Sequence, residues 1–138
     1  MSRRLVVLDS EAVQALQNPA HPKHRRVLSH VQLVAGRKRR AEVVELAVPT
    51  SVRVEAGWDR TSPAWAFPNR LLIADVPLDR ALADQAAGIG LRHRVSVADA
   101  HLGAIVKLAD AAGITVLTSD PRDMRRIAED ADVTIVTV

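Results

Sequence analysis

Residues Leu5-Val6-Val7-Leu8 form an unbroken apolar run that ends at Asp9. A strand with one face in water alternates apolar and polar residues. A run without alternation is buried on both faces, as happens when helices cover both sides of a parallel sheet. The run therefore points to an α/β fold with this strand near its centre. The stretch from Val95 to Pro121 carries the same message further along. Ser96 is the expected N-cap of a helix, and Asp99, three residues on, completes a capping-box-like S-x-x-D at its positive end. Leu102, Ile105, Val106 and Ala109 then recur at helical spacing, and Gly113 is expected as the C′ stop. Ile114, Val116 and Leu117 follow as a short strand that ends at Thr118-Ser119-Asp120.

The remaining segments alternate in the same way. Glu11 to Leu16 reads as a short helix broken by Asn18-Pro19. Pro22 is expected at the first position of a second helix, with Val27, Leu28, Val31 and Val34 on its apolar face and Gly36 at its end. Val44, Leu46 and Val48 predict a second strand closed by Pro49. Thr50 or Ser51 is expected to cap a third helix carrying Val52, Glu55 and Ala56. Ser62 to Pro68, with a proline at each end of its helical piece, reads as irregular. Leu72 to Val76 reads as a strand, and Asp79 as the cap of a helix to about Leu91. Pro121 to Glu129 reads as a helix and Val133 to Val138 as a final strand. This β-α order predicts one domain over residues 1–138, with a parallel sheet and helices on both faces.

Composition narrows the class. The chain has 138 residues, enough for a core, and 48% of them are hydrophobic, which argues against disorder. Aromatics are only 2%, so the core must be built from Ala, Val, Leu and Ile. The absence of cysteine excludes disulfides and thiolate metal sites. No apolar run approaches the roughly 20 residues of a membrane span, and Leu5 to Leu8 is too short for a signal h-region. The expectation is a soluble cytoplasmic protein with no membrane contact. Net charge is only +3, but it is unevenly spread. Between Ala12 and Ala41 there are seven Lys/Arg, three His and no acid, ending in Arg37-Lys38-Arg39-Arg40. Such a block is suited to tracking phosphates.

Four acids differ from the rest by position. Asp9 ends the first strand, Glu55 lies on a helix face, Asp99 opens the central helix and Asp120 follows the next strand. In open α/β sheets, sites form at the carboxyl ends of strands and the adjoining helix N-termini. Carboxylates that converge there repel unless a cation sits between them, and hard oxygen ligands suit Mg²⁺ or Mn²⁺ and phosphodiester hydrolysis. Most other acids, Asp75 and Glu129 among them, read as solvated faces or turns. His101 reads as structural or solvent-facing. Trp58 and Trp65 read either as core or as surfaces for stacking a base or anchoring a partner.

The segments VVLDSEAVQAL, VPTSVRVEAGW, VADAHLGAIVKLA and ITVLTSDPRDMRRIA carry these acids in order over nearly the whole chain. Together they resemble PIN-domain ribonucleases, specifically the VapC-type toxins of bacterial toxin–antitoxin pairs. The resemblance implies a three-layer α/β/α fold around a five-stranded parallel sheet. It implies Mg²⁺- or Mn²⁺-dependent endoribonuclease cleavage of structured RNA, a cognate antitoxin and a homodimer. Position by position, Asp9, Glu55, Asp99 and Asp120 match the family's metal-binding acids, and Thr118 matches a polar residue beside the last. Relatives often carry a further acid where this chain has Ser96, so Asp123 is expected to join Asp9, Asp99 and Asp120 around the cation. Glu55 would complete the shell through water or act as a base. Arg53 and Arg122, close in sequence to the acids, and Arg37, Lys38, Arg39 and Arg40 are expected to bind substrate along with Thr118. The segment Thr61 to Asn69 departs from the continuous helix common in relatives.

Rival readings within the fold class lack their residues. A receiver-like phosphoacceptor needs paired acids after the first strand and a Lys after the fifth. A D-x-D phosphatase pattern is broken by Asp9-Ser10-Glu11. The alternative that stands is a catalytically silent PIN-fold RNA-binding module.

Overall fold

Leu5 to Leu8 lie in the middle strand of a five-stranded, all-parallel sheet, in a computed structural model that describes residues 3–37, 43–109 and 113–138. The chain runs β1 (Arg3–Leu8), α1 (Ser10–Gln17), α2 (His24–Arg37), β2 (Val43–Pro49) and α3 (Thr50–Ala56). A 3-10 turn (Pro63–Trp65), α4 (Ala66–Asn69), β3 (Ala74–Val76), α5 (Arg80–His93) and α6 (Val97–Leu108) follow. β4 (Gly113–Thr118), α7 (Pro121–Ala128) and β5 (Thr134–Thr137) complete it.

The sheet order is β3-β2-β1-β4-β5. β1 pairs with β2 in the register Val7↔Ala47 and with β4 in the register Leu8↔Leu117. Successive residues of β1 point to opposite faces. Val6 and Leu8 join Val44, Leu46, Val48 and Leu117 in a core packed by α1, α2 and α3. Leu5 and Val7 join Ala47, Ile114 and Val116 in a second core packed by α5, α6 and α7. Two apolar faces on one strand are what the unbroken run requires.

From β1 the chain steps outward to β2 and β3, then returns to lay β4 on the other side of β1. The direction of winding therefore reverses between β1 and β4. Helices leave the carboxyl ends of these two strands on opposite faces, which opens a crevice there.

Several expected boundaries shift for local reasons. α2 begins at His24 rather than at Pro22, because the preceding turn is shaped by side chains. The Lys23 N–H donates to His21 Nδ1 at 3.0 Å, and His24 Nδ1 meets the Ala15 carbonyl at 2.8 Å. The helix also continues through Gly36 to Arg37. Pro49 is the N-cap of α3 and offers no side-chain cap, so neither Thr50 nor Ser51 plays that part. α6 ends at Leu108 with Ala109 as its C-cap, and Gly113 opens β4 instead of stopping the helix. A Cβ at Gly113 would stand 3.2 Å from Arg4 Nε, the flexible end of an exposed side chain that can move aside, so this contact does not demand a glycine.

The Trp residues belong to the core. Trp58 and Trp65 are 3% and 7% exposed and stack at 5.5 Å between centroids, with 11° between planes. Trp58 Nε1 donates to Asn69 Oδ1 at 2.7 Å, and Arg60 covers its ring at 4.6 Å. This stack holds the segment around Pro63 and Pro68, which folds as the 3-10 turn and α4.

Candidate active site

Each acid is delivered by a helix start or end beside the crevice. Asp9 leaves β1 and caps α1. Its Oδ1 accepts the Ala12 N–H at 2.8 Å, its Oδ2 accepts the Ser119 N–H at 3.3 Å, and the Thr118 side chain adds a third bond. Asp120 leaves β4 and caps α7, accepting the Asp123 N–H at 3.1 Å while its own N–H donates to Thr118 Oγ1 at 3.0 Å. Ser96 caps α6 as expected, accepting the Asp99 N–H at 3.1 Å, and so fixes Asp99 in the first turn. Three helix N-termini thus face the crevice, and their free N–H groups favour negative charge. Glu55 comes from the last turn of α3 and is exposed.

These side chains line one cleft of about 210 Å³. Asp9, Glu55, Asp99, Asp120, Asp123 and Thr118 all contribute to it, with Leu102, Met124 and Ile127 as its apolar wall. Glu11 lines it too. The sequence reading passed over Glu11, although its place in the first turn of α1, two residues after Asp9, was a usable signal. Among the described residues, no Lys, Arg or His lines the cleft. Basic groups stand behind it instead: His21 Nε2 meets Glu11 at 3.2 Å and Arg126 meets Asp123 at 3.2 Å.

The charges are felt mutually. Burial raises the Asp9 carboxyl above its ordinary value; bonds from Ala12, Thr118 and Ser119 oppose this, and the Glu11 charge adds to it. Asp99 is raised first by burial and next by the Glu55 charge, with Asp9 and Asp123 contributing and the Ser96 bond opposing. A divalent cation relieves such repulsion. The donor set fits one, being anionic oxygen throughout with a hydroxyl and no thiolate or imidazole. As placed, no three His, Asp or Glu side chains among the described residues stand close enough together to hold an ion between them.

The expected substrate-binding residues fare differently. Thr118 is 3% exposed and lies between Asp9 and Asp120. Arg53 does not reach the cleft: its guanidinium donates to the Trp58 carbonyl at 3.3 Å and pairs with Asp75 at 3.0 Å. Positions two apart on a helix point about 200° away from each other, so nearness to Glu55 in sequence did not bring Arg53 to the acid's side. Arg122 is exposed on α7, outside the cleft lining. Arg37 closes α2, and Lys38, Arg39 and Arg40 lie outside the described residues.

Two acids read as solvated are structural anchors. Asp75 takes Arg53 and Arg60, the latter at 2.9 Å. Glu129 takes Arg92 at 2.9 Å, His93 at 3.2 Å and Lys107, and these partners hold its carboxyl down at about 2, Arg92 foremost. His101 is fully buried, and its Nδ1 lies 2.7 Å from Ser51 Oγ. Burial lowers its pKa, which keeps the ring neutral.

Fold and cleft together define a PIN-like α/β/α domain with an acid-lined crevice at the carboxyl ends of β1 and β4. The sequence matches no family model and no curated protein. Solved structures do match. One is VapC20 of Mycobacterium tuberculosis, described as a sarcin-ricin loop cleaving toxin, at 20% identity over 83% of this chain and 91% of that one, with a TM-score of 0.57. FitAcB from Neisseria gonorrhoeae matches at 18% identity over 94% and 96%, with a TM-score of 0.57. PAE2754 from Pyrobaculum aerophilum matches at 15% identity over 95% and 91%, with a TM-score of 0.53. At these identities the likeness is one of fold, and it extends over 83% to 95% of this chain.

Proposed function

We propose that this chain is a metal-dependent endoribonuclease toxin that cuts structured RNA and is held in check by a cognate antitoxin. The observation that carries the reading is the convergence of Asp9, Glu55, Asp99, Asp120 and Asp123 on one cleft with no basic residue in its lining. A structural role explains any one acid as a cap or a helix face. It does not explain why Asp99 is placed where Glu55, Asp9 and Asp123 all push its carboxyl upward. The VapC20 match, a protein described as cleaving the sarcin-ricin loop, supports RNA as the substrate class. A homodimer acting in the cytoplasm fits the same reading.

Asp9, Asp99 and Asp120, with Asp123, would hold Mg²⁺ or Mn²⁺. A cation bound there supplies positive charge against the phosphodiester and lowers the pKa of water. Asp9 contributes a carboxylate already oriented by its three donors. Thr118 fixes Asp9 and Asp120 relative to each other through its one hydroxyl. Glu55, exposed at the rim and close enough for its charge to act on Asp99, accepts the proton from the attacking water. Leu102, Met124 and Ile127 give the cleft a dry wall that strengthens these charges. Arg122 and the basic stretch from Lys23 to Arg40 supply phosphate contacts outside the acid cleft, while Arg53 is committed to Asp75.

The silent RNA-binding module has one observation in its favour, the lack of a ready-made three-acid cage among the described residues. Purified chain incubated with total RNA separates the two. Cleavage that needs Mg²⁺ or Mn²⁺, stops with EDTA and is lost in Asp9→Asn, Asp99→Asn and Asp120→Asn supports the nuclease. RNA retention without new ends, or near-wild-type cleavage by all three variants, overturns it.

A further inference from the structure

Two polar side chains are fully buried among the described residues, Thr118 and His101. Thr118 is explained by the acids it touches. His101 lies in an otherwise apolar layer of α6, with Ala98, Leu102 and Ile105 around the same helix. Its Nδ1 meets Ser51 Oγ of α3 at 2.7 Å. Its buried Nε2 closes no well-formed hydrogen bond, although the Pro77 carbonyl acts on the ring. A leucine would fill that volume without leaving a nitrogen unsatisfied, and buried unsatisfied groups in native proteins call for an explanation.

The position of the contact supplies one. Ser51 and Glu55 are four residues apart on α3, hence on one face and about 6 Å apart along the axis. His101 is two residues beyond Asp99 on α6, about 3 Å along that axis and about 200° around it, so it reaches Asp99 only through the placing of the helix itself. The Ser51–His101 contact is therefore the buried point where the helices bearing Glu55 and Asp99 meet. At the rim, one turn away, two carboxylates repel each other across the same pair of helices. We propose that this contact fixes the separation of Glu55 from Asp99, and so sets how tightly the cleft takes a divalent cation. Ser51 and His101 are positioning residues on this view. The inference rests on the function proposed above.

Residues that orient metal-binding side chains from behind are worth about 10- to 100-fold in metal affinity. The test uses the full chain and Mn²⁺ alone as probe. The Mn²⁺ dissociation constant is measured by calorimetry, and thermal unfolding is measured in EDTA. Ser51→Ala should weaken Mn²⁺ binding about tenfold or more, and Ser51→Thr, which keeps the hydroxyl, should restore it. His101→Leu should weaken binding while unfolding near the wild-type temperature. His101→Asn puts an amide near the place of Nδ1, so it should bind Mn²⁺ nearly normally although the space it leaves lowers the unfolding temperature. Affinity and stability then move in opposite variants. If affinity instead follows unfolding temperature across the four, or does not change at all, the contact is ordinary core packing and the proposal falls. Failure of the wild type to bind Mn²⁺ overturns the nuclease reading and this inference with it.

Discussion

Gly103 lies where α6 crosses its neighbours, and replacing it sets two known effects against each other. A Cβ there would stand 3.1 Å from the Ile127 carbonyl oxygen, 3.2 Å from Ile89 Cδ1 and 3.6 Å from Ile127 Cβ. Alanine in a helix interior gains about 1 kcal/mol over glycine in propensity alone. Overpacking a tight contact costs about 1–3 kcal/mol. The nearest obstacle is backbone of α7, which cannot swing aside as a side-chain tip would. Ile89 and Ile127 are 0% and 2% exposed, so neither has free space to move into. The steric effect should win, leaving Gly103→Ala less stable by about 1 kcal/mol and Gly103→Val by about 3 kcal/mol or more. Urea unfolding in EDTA, with unchanged slope, measures the difference directly. Because α6 carries Asp99 and α7 is capped by Asp120, the same wedge should also weaken Mn²⁺ binding. A Gly103→Ala variant more stable than wild type by the full propensity gain would show that α7 yields freely. The close-approach reasoning would then be refuted.

Asp99→Asn should match or exceed wild-type stability in EDTA near neutral pH. The folded carboxyl is raised, so it destabilises the fold when ionised; the penalty shrinks as pH falls through the raised value. The Ser96 cap survives the change because it uses the backbone N–H of residue 99. Saturating Mn²⁺, at a hundredfold excess over its dissociation constant, should stabilise wild type by about 2.7 kcal/mol and the variant much less, as thermal unfolding will report. A strongly destabilised variant in EDTA would make Asp99 chiefly structural. Glu129→Gln should melt below wild type at pH 7. Its carboxyl is held at about 2 against an ordinary 4.5, so that deficit should vanish as pH drops from 4.5 toward 2. A deficit independent of pH would mean that packing, not the ion pairs, was lost. Trp58→Ala removes a stacked, buried ring and should cost about 3–5 kcal/mol in urea unfolding; a loss under about 1 kcal/mol would contradict a core role.

What the sequence made legible was local grammar. Burial on both faces removes alternation, so the central strand could be read from Leu5 to Leu8. Caps are written within three residues, so Ser96 and Asp79 were read correctly, and Asp9 and Asp120 were found as strand-end acids. What escaped depends on partners far along the chain. Ser51 and His101 are 50 residues apart, and the Glu129 partners lie 22 to 37 residues away. Nothing in the spacing of Glu129 reveals that Arg92, Lys107 and the His93 ring converge on it. Gly113 was misread because a glycine after a helical pattern ordinarily stops the helix, while here the helix has already ended at Leu108 and Gly113 opens β4. Arg53 was misplaced because closeness in sequence was taken for closeness in space, although two residues along a helix turn the side chain about 200° away.

Asp9 draws its hydrogen bonds from its own helix and from a loop 110 residues further along. Its rotamer is chosen during folding, before any ligand arrives, so the ordering entropy of roughly 0.5–1.5 kcal/mol for such a side chain does not weaken binding. The same arrangement has a consequence for synthesis. A nascent chain can form β1 and α1 early, but Asp9 lacks the donors of Thr118 and Ser119 until those residues have left the ribosome and β4 has docked beside β1. Asp99 and Asp120 also come late, 90 and 111 residues after Asp9. A nuclease of the kind proposed above would thereby lack its assembled carboxylates until β4 and α7 have been made.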